Sequence, residues 1–195
     1  MEVRPMLIRD AKASDADHLV RFINMAADDL PLHFWKKSAA PGVDPIAYGR
    51  ERAARDTGSF SYRNAWLAEV DGEVAACLLG YPAADVPEPI DPGTPPIFVP
   101  LLELEALAPG SWYLNVLATY PQFRGKGLGS ALLAKAEAVT RDLGRATISL
   151  IAEDTHQDAL RLYRAKGFTE IARRAVVKDD WAVAASDWIL FTKSF

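Results

Sequence analysis

The stretch that most restricts the fold of this chain is "YPQFRGKGLGSALL", residues 120–133, in which three glycines alternate with Lys126 and Leu128. It follows a hydrophobic run typical of a strand and precedes apolar residues at helical spacing. Glycine at such a junction lets the backbone approach a ligand closely, and the amides at the start of a helix favour a negatively charged group. The stretch therefore predicts an anion-binding loop within an α/β arrangement.

Three kinds of phosphate-binding loop can be compared with this stretch. A P-loop requires G-x-x-x-x-G-K-[ST], but Lys126 is followed by Gly127 instead of a hydroxyl residue. A dinucleotide-binding loop requires G-x-G-x-x-G after the first strand of a βαβ unit, whereas this stretch has G-x-G-x-G after an antiparallel hairpin pattern. The third pattern, R-x-x-G-x-G, is filled by Arg124, Gly127 and Gly129.

A second motif, "HQDALRLYRAKGF" at residues 156–168, matches N-x-x-A-x-x-L-Y-x-x-x-G-F, except that His156 stands where asparagine is usual. Together the two motifs resemble the coenzyme A-binding region of the GNAT superfamily of acyl-CoA N-acyltransferases. The resemblance covers residues 114–168, and the order of predicted elements in the rest of the chain also fits that family.

The predicted elements form one α/β (α+β) domain over residues 1–195, with strands and helices in the order β, α, α, β-hairpin, β, α, β, α, β, β. Residues 30–45 read as a loop with large aromatic side chains, and a proline-rich surface insertion is expected at about 82–109. The "DG" pair at 71–72 predicts the hairpin turn. The resemblance implies a GNAT-like fold: a mixed, mainly antiparallel sheet of six to seven strands, flanked by helices, whose fourth and fifth strands splay apart.

Composition narrows the expected partners. The net charge of −4 argues against a nucleic-acid partner. The chain shows neither a signal-peptide core nor an apolar run long enough to span a membrane, so we expect a cytoplasmic protein. The single cysteine, Cys77, lies in an apolar strand pattern and is expected to be buried. No metal is expected, and strand-forming residues around Trp181 and Trp188 could support a homodimer.

The resemblance implies that acetyl-CoA is the co-substrate. It also implies that the glycine loop and the end of the strand before it bind the coenzyme. Amides of the glycine loop would hold the pyrophosphate, next to two basic side chains. The end of the preceding strand would pair with the pantetheine amides, and His156 would contact the coenzyme where asparagine usually does. The expected coenzyme-binding residues are Leu117, Ala118, Thr119, Arg124, Gly125, Lys126, Gly127, Leu128, Gly129, Ser130 and His156.

The implied reaction is acetyl transfer from the thioester to a primary amine of a small molecule or peptide, by direct attack in a ternary complex. A backbone N–H near Leu117 would stabilise the oxyanion. By resemblance, Tyr163 would be the general acid that protonates the departing thiolate. Its alternative role is that of a core aromatic residue, because Ala159, Leu162 and Tyr163 share one helical stripe.

The general base is not identified by the sequence. Many family members carry a glutamate on the strand before the loop, but "SWYLNVLAT" at 111–119 has Asn115 and no carboxylate. Asn115 is expected to position a water or the amine, because an amide is not a base at neutral pH. The base would come from Glu103, Glu105, His33 or water, and an amine of low pKa would need none. Glu103 and Glu105 are two residues apart, so only one could face a cleft from a helix.

The acceptor site is expected around "HFWKK", with His33 and Trp35, because this region commonly lines that site in the family. Glu103 and Glu105 are the other expected substrate contacts. Two alternatives to an enzyme remain: a coenzyme A-binding sensor or inactive GNAT-like module, and a nucleotide-binding α/β domain. The missing strand carboxylate favours the module, and the retained Tyr163 argues against it.

Overall fold

A computed structural model describes residues 6–195 of the chain, which form a mixed sheet with flanking helices. The strands are β1 (Met6–Asp10), β2 (Ala65–Val70), β3 (Glu73–Pro82), β4 (Trp112–Thr119), β5 (Thr147–Glu153), β6 (Thr169–Ala175) and β7 (Asp187–Ser194). The α-helices are α1 (Ala16–Ala26), α2 (Leu30–Ser38), α3 (Pro45–Ala53), α4 (Val99–Glu105), α5 (Leu128–Asp142) and α6 (Gln157–Ala165). None of the helices within residues 6–195 is long and apolar enough to cross a membrane.

The strand order is β1-β2-β3-β4-β5-β7-β6. β4 and β5 pair in parallel, whereas β1 with β2, β2 with β3, β5 with β7, and β6 with β7 pair antiparallel. This arrangement confirms the predicted mixed, mainly antiparallel sheet flanked by helices. The predicted hairpin is also present, and its turn residues Asp71 and Gly72 both have positive φ, at 55° and 80°, as a two-residue hairpin turn requires.

The parallel pairing of β4 with β5 is short. It joins Trp112–Leu114 to Ile148–Leu150, with Leu114 opposite Leu150. β4 continues to Thr119 and β5 to Glu153, but no further pair between these strands is present in the described part of the chain. The pairing of β4 with β5 therefore ends near the middle of β4, which agrees with the expected splaying of the two strands.

The chain divides into two compact units that interleave along the sequence. The first unit consists of the chain up to Gly80 together with Val116–Lys135. The second consists of Tyr81–Asn115 together with Ala136–Phe195. The boundaries therefore fall within β3, β4 and α5.

The core of the first unit contains buried side chains of α1, β2 and β3. α1 buries Leu19, Phe22 and Ile23, which recur at helical spacing. Cys77 on β3 is fully buried, as its apolar surroundings predicted. Arg9 on β1 bonds the carboxylates of Asp15 and Glu69, at 2.8 Å and 2.6 Å. These bonds raise the pKa of the guanidinium and hold the strand against the start of α1.

The prediction of a loop over residues 30–45 is wrong, because Leu30–Ser38 form helix α2. Proline opposes a helix only beyond the first turn, and Pro31 lies within that turn. The side-chain oxygen of Asn24 accepts from the amide of Leu32 at 2.9 Å and supplies a partner for the helix end. Asp29 precedes the helix with φ at 67°.

The second unit packs α4 of the proline-rich insertion against β6 and β7. Leu104 of α4 is fully buried. The stem of the insertion is fixed by Arg145, which donates to the carbonyl of Gly110 at 3.1 Å and pairs with Asp85. The predicted last strand over residues 181–195 is shorter than expected and begins only at Asp187.

Candidate functional site

The glycine loop has a backbone that only glycine adopts easily. Gly125 and Gly127 have φ of 73° and 80°, in the left-handed region. A Cβ atom placed on either residue would meet no atom within 4 Å. The need for glycine therefore comes from the backbone conformation, and the space beside both residues is open to a ligand.

Helix α5 begins at the end of this loop. The amide of Ala131 donates to the carbonyl of Gly127 at 3.1 Å, which makes Gly127 the first acceptor of the helix. The amides of Leu128, Gly129 and Ser130 thus precede the helical hydrogen bonds, as the first amides of any helix do. With the positive end of the helix dipole, these amides provide a site for an anionic group such as a diphosphate.

Two basic side chains lie at the loop and have internal contacts. Nε of Arg124 donates to the carbonyl oxygen of Thr119 at 3.3 Å. Nζ of Lys126 lies 4.9 Å from the centre of the Phe123 ring, within cation–π range. Both basic residues thus belong to the loop whose amides could bind an anion.

The start of the loop is fixed by Tyr120, which sequence reasoning did not single out. Its amide donates to the carbonyl of Ala75 at 2.9 Å. Its hydroxyl lies 3.0 Å from Nδ1 of His18, and its ring lies 4.2 Å from that of Phe22. The loop is thus attached to β3 and α1 before its glycines begin. No local pattern indicates the contact with His18, which is distant in sequence.

Tyr163 lies on α6 and is only 6% exposed. Its ring centre is 5.9 Å from that of Phe168 and 6.2 Å from that of Phe191. Burial raises the pKa of the phenol above its usual value, because the charged form loses hydration. The side chain thus packs as a core aromatic residue, and its role as the general acid stays a prediction.

His156 immediately precedes α6, and its side chain does not cap the helix. Its Nε2 lies 3.8 Å from a carboxylate oxygen of Glu153, whose side chain is 1% exposed at the end of β5. Thr155 Oγ1 lies 3.5 Å from the same carboxylate oxygen. Sequence reasoning missed Glu153, although a carboxylate in the apolar run of β5 was a usable signal.

Asn115 belongs to a polar cluster in the second unit. Its Nδ2 donates to the hydroxyl of Tyr81 at 3.4 Å, and it also hydrogen-bonds Tyr113. Tyr113 in turn hydrogen-bonds the carboxylate of Glu105 at the end of α4. The rings of Tyr81 and Tyr113 meet edge to face at 5.7 Å. We call these four residues the Glu105 cluster.

The two candidate carboxylates of α4 have different surroundings. Glu103 accepts a hydrogen bond from Nε of Arg174 on β6 at 2.6 Å. Glu105 is half-buried, and loss of hydration raises the pKa of its carboxyl to about 7, although the hydrogen bond from Tyr113 opposes the rise. At neutral pH Glu105 therefore exchanges a proton readily, whereas Glu103 is bound to a guanidinium.

The predicted acceptor-site residues His33 and Trp35 both lie on α2. His33 is half-buried. Trp35 is 5% exposed and packs on Gly49 of α3, where an added Cβ atom would lie 2.7 Å from the Trp35 ring. Trp35 is thus a core anchor that joins α2 to α3.

The chain is similar in sequence or in structure to known acetyltransferases. A bovine thialysine N-epsilon-acetyltransferase is 23% identical over 172 residues, which cover 85% of each protein. The structure of the Drosophila melanogaster polyamine N-acetyltransferase, which catalyses the formation of N-acetylagmatine, has a TM-score of 0.65 at 15% identity and covers 98% of this chain and 100% of its own. A GNAT family acetyltransferase from Elizabethkingia anophelis with acetyl-CoA bound has a TM-score of 0.50 at 17% identity, covering 67% and 75%.

The model of the acetyltransferase (GNAT) family matches residues 30–168, a range that includes the glycine loop, the Glu105 cluster and Tyr163. This range is more than half of the 195 residues. It also contains both motifs on which the resemblance was based. The chain belongs to the GNAT family and is an acetyltransferase.

Proposed function

We propose that this acetyltransferase moves the acetyl group of acetyl-CoA to a primary amine of a small, cationic molecule. The observation that carries the proposal is the glycine loop, with left-handed Gly125 and Gly127 directly before the amides of α5. Such a loop suits the diphosphate of coenzyme A, because its amides and the helix dipole favour negative charge. Arg124 and Lys126 add positive charge beside it.

The acceptor class is inferred from relatives and from charge. The bovine relative is named for thialysine, and the Drosophila enzyme acts on polyamines or agmatine, as its name and product state. These acceptors are small amines with additional positive charge. The net charge of −4 is compatible with such substrates, although net charge acts mainly on solubility and association rate.

In the proposed reaction, the neutral amine attacks the thioester carbon in a ternary complex. A C–N bond forms, the carbonyl oxygen becomes an oxyanion, and a backbone N–H near Leu117 stabilises it. The C–S bond then breaks, and the thiolate receives a proton from Tyr163. The raised pKa of Tyr163 suits this role, because the phenol keeps its proton until a strongly basic group needs it. The attached nitrogen loses one proton, which passes through solvent to the phenolate of Tyr163, so that a neutral amide, a thiol and the neutral phenol result.

The remaining predicted residues take supporting roles in this proposal. Leu117, Ala118 and Thr119 offer main-chain groups to the pantetheine amides, because β4 has no ladder bonds to β5 beyond Leu114. His156 contacts the coenzyme, and Asn115 positions the amine or a water. His33 on α2 contacts the acceptor.

The first experiment is thermal unfolding with and without acetyl-CoA, for the wild type, Gly127→Glu and Gly42→Glu. Gly42 is a matched control, because it also has positive φ (84°) and open space beside it, but lies outside the loop. Acetyl-CoA at a hundred times its Kd should stabilise the wild type by about 2.7 kcal/mol, or roughly 5 to 10 °C for a chain of this size. Gly127→Glu should lose this shift and Gly42→Glu should keep it.

Turnover is then measured with agmatine, spermidine and thialysine by following release of the coenzyme A thiol. Turnover of at least one amine supports the proposal. Binding of acetyl-CoA without turnover of any amine would favour the coenzyme A sensor instead. Failure of a folded wild type to bind acetyl-CoA would overturn the proposed function altogether.

A further inference from the structure

We propose that Glu105 accepts the proton that the attacking amine loses, so that a carboxylate from the proline-rich insertion acts in place of one on β4. This inference rests on the proposed function and adds the general base to it. An alkylammonium ion has a pKa near ~10 and cannot attack until it loses a proton. The amide of Asn115 cannot accept that proton, so the base must come from another element.

The position of Glu105 is fixed by its neighbours on α4. Leu104 is fully buried, and Glu103 is held by Arg174 of β6 at 2.6 Å. Because successive residues of a helix point in different directions, these two anchors set the direction of the Glu105 side chain. Glu105 then meets Tyr113 of β4, whose hydroxyl donates a hydrogen bond to its carboxylate.

The Glu105 cluster connects this carboxylate to the strand that carries Asn115. Tyr113 and Asn115 are two residues apart on β4, so their side chains lie on the same face of the strand. Asn115 hydrogen-bonds both Tyr113 and Tyr81. A continuous set of hydrogen-bonding groups thus runs from Glu105 to Asn115, and such a set can hold a water or an amine in one orientation.

The charge surroundings of Glu105 suit a base. Within residues 6–195 no ion pair involves Glu105, and the titratable groups of its cluster are the phenols Tyr113 and Tyr81. Arg174 of β6, which reaches α4, is bound to Glu103. Burial without a cation raises the pKa of the carboxyl to about 7. A base with a pKa close to the working pH is the most effective, because it is ionised yet still binds a proton well.

The test compares Glu105→Gln with the matched variant Glu103→Gln, which lies on the same helix. We would measure kcat/KM for the best amine of the panel, at saturating acetyl-CoA, between pH 5.5 and 9. The wild type should show kcat/KM that rises through about pH 7, where Glu105 loses its proton. Glu105→Gln should lower kcat/KM by about 100-fold or more, because a general base usually contributes at least that factor. The variant should also lose the rise of kcat/KM with pH.

Glu103→Gln should retain the rise of kcat/KM through about pH 7, because Glu103 is bound to Arg174 and lies outside the Glu105 cluster. All three proteins should show the same melting shift with acetyl-CoA. A fluorinated analogue of the amine, with a more acidic ammonium, should lose less activity in Glu105→Gln than the parent amine. If Glu105 had only a structural role, Glu105→Gln would lower the activity with both amines by the same factor.

Wild-type kcat/KM and pH dependence in Glu105→Gln would overturn the assignment of the base and leave the proposed function intact. Equal losses in Glu103→Gln and Glu105→Gln would also overturn it, because they would indicate damage to α4. No turnover by a wild type that binds acetyl-CoA would overturn both the proposed function and this inference. If Glu105→Gln fails to fold, Glu105→Asp serves in its place and should retain the pH rise at a lower rate.

Discussion

Nδ1 of His18 on α1 lies 3.0 Å from the hydroxyl oxygen of Tyr120, the first residue of the glycine-rich stretch. The pair joins the first helix of the chain to a loop that lies far along the sequence. Because the Tyr120 ring also packs on Phe22, the hydrogen bond adds direction to an apolar contact that exists without it. The hydrogen bond thus fixes the position of the residue at which the glycine loop begins.

Tyr120→Phe should therefore lower the free energy of unfolding by about 0.5 to 1.5 kcal/mol, the usual value of one such bond. The aromatic contact with Phe22 should survive. We would measure urea unfolding and the Kd for acetyl-CoA together. The affinity should fall by less than in Gly127→Glu, which changes the loop itself. Unchanged values in both measurements would show that the hydroxyl does not anchor the loop.

Gly49→Ala should destabilise the protein by about 1 to 3 kcal/mol, because the new methyl group would overlap the Trp35 ring. Gly49 does not have the positive φ that would penalise alanine by itself. A smaller side chain at position 35 should therefore relieve the overlap. In a double-mutant cycle with Trp35→Leu, the two single variants should together lose more unfolding free energy than the double variant loses. Strictly additive losses would contradict this packing.

Tyr163→Phe should reduce kcat by about 100-fold or more while leaving the acetyl-CoA melting shift unchanged, because it removes only the proton donor. The ring contacts with Phe168 and Phe191 should be retained, so the melting temperature of the free protein should change little. The control is Phe168→Leu, which should affect stability more than kcat. Wild-type kcat in Tyr163→Phe would leave Tyr163 with a packing role alone.

The stability of the protein should fall as the pH rises from about 5 to 8, in part because of Glu105. Its carboxyl has a pKa near 7 in the folded protein and a lower one in the unfolded chain, so the folded state binds more protons between these values. The contribution of the protonated group is complete below the unfolded pKa and is lost as the pH rises through 7.

Glu105→Gln removes this dependence, because glutamine does not titrate. Between pH 5 and pH 8, the free energy of unfolding of the variant should rise by roughly 1 to 3 kcal/mol relative to that of the wild type. This range allows for the solvent that still reaches the half-buried group. Urea unfolding at both pH values measures the gain. A constant difference between the two proteins would place the pKa of Glu105 at its usual value.

Much of the fold could be predicted because its signals are local. The glycine loop, the second motif, the Asp71-Gly72 turn and the apolar pattern of the strands each involve only a few neighbouring residues. Helix α2 was missed because residues 30–45, with their large aromatic side chains, were predicted to be a loop. The features that stabilise this helix, Asn24 and the packing of Trp35 on Gly49, involve residues outside the stretch.

The candidate site was predictable only in part, for the same reason. The glycine loop and the spacing of the second motif mark their residues directly. By contrast, the difference between Glu103 and Glu105 arises from Arg174 and Tyr113, which the fold brings to α4 from other elements. The burial of Glu153 likewise depends on the packing around β5. Helical spacing indicated that the two glutamates differ in direction, but it could not say which one would be desolvated.

The interleaving of the two compact units has a consequence for biosynthesis. The first unit is completed by Val116–Lys135, which the ribosome makes only after Tyr81–Asn115 of the second unit. A nascent chain that ends at Gly80 therefore lacks the part that completes the first unit, and the apolar side chains of α1 must wait for it. A fragment that ends at Gly80 should therefore expose apolar side chains of the first unit that the complete chain buries.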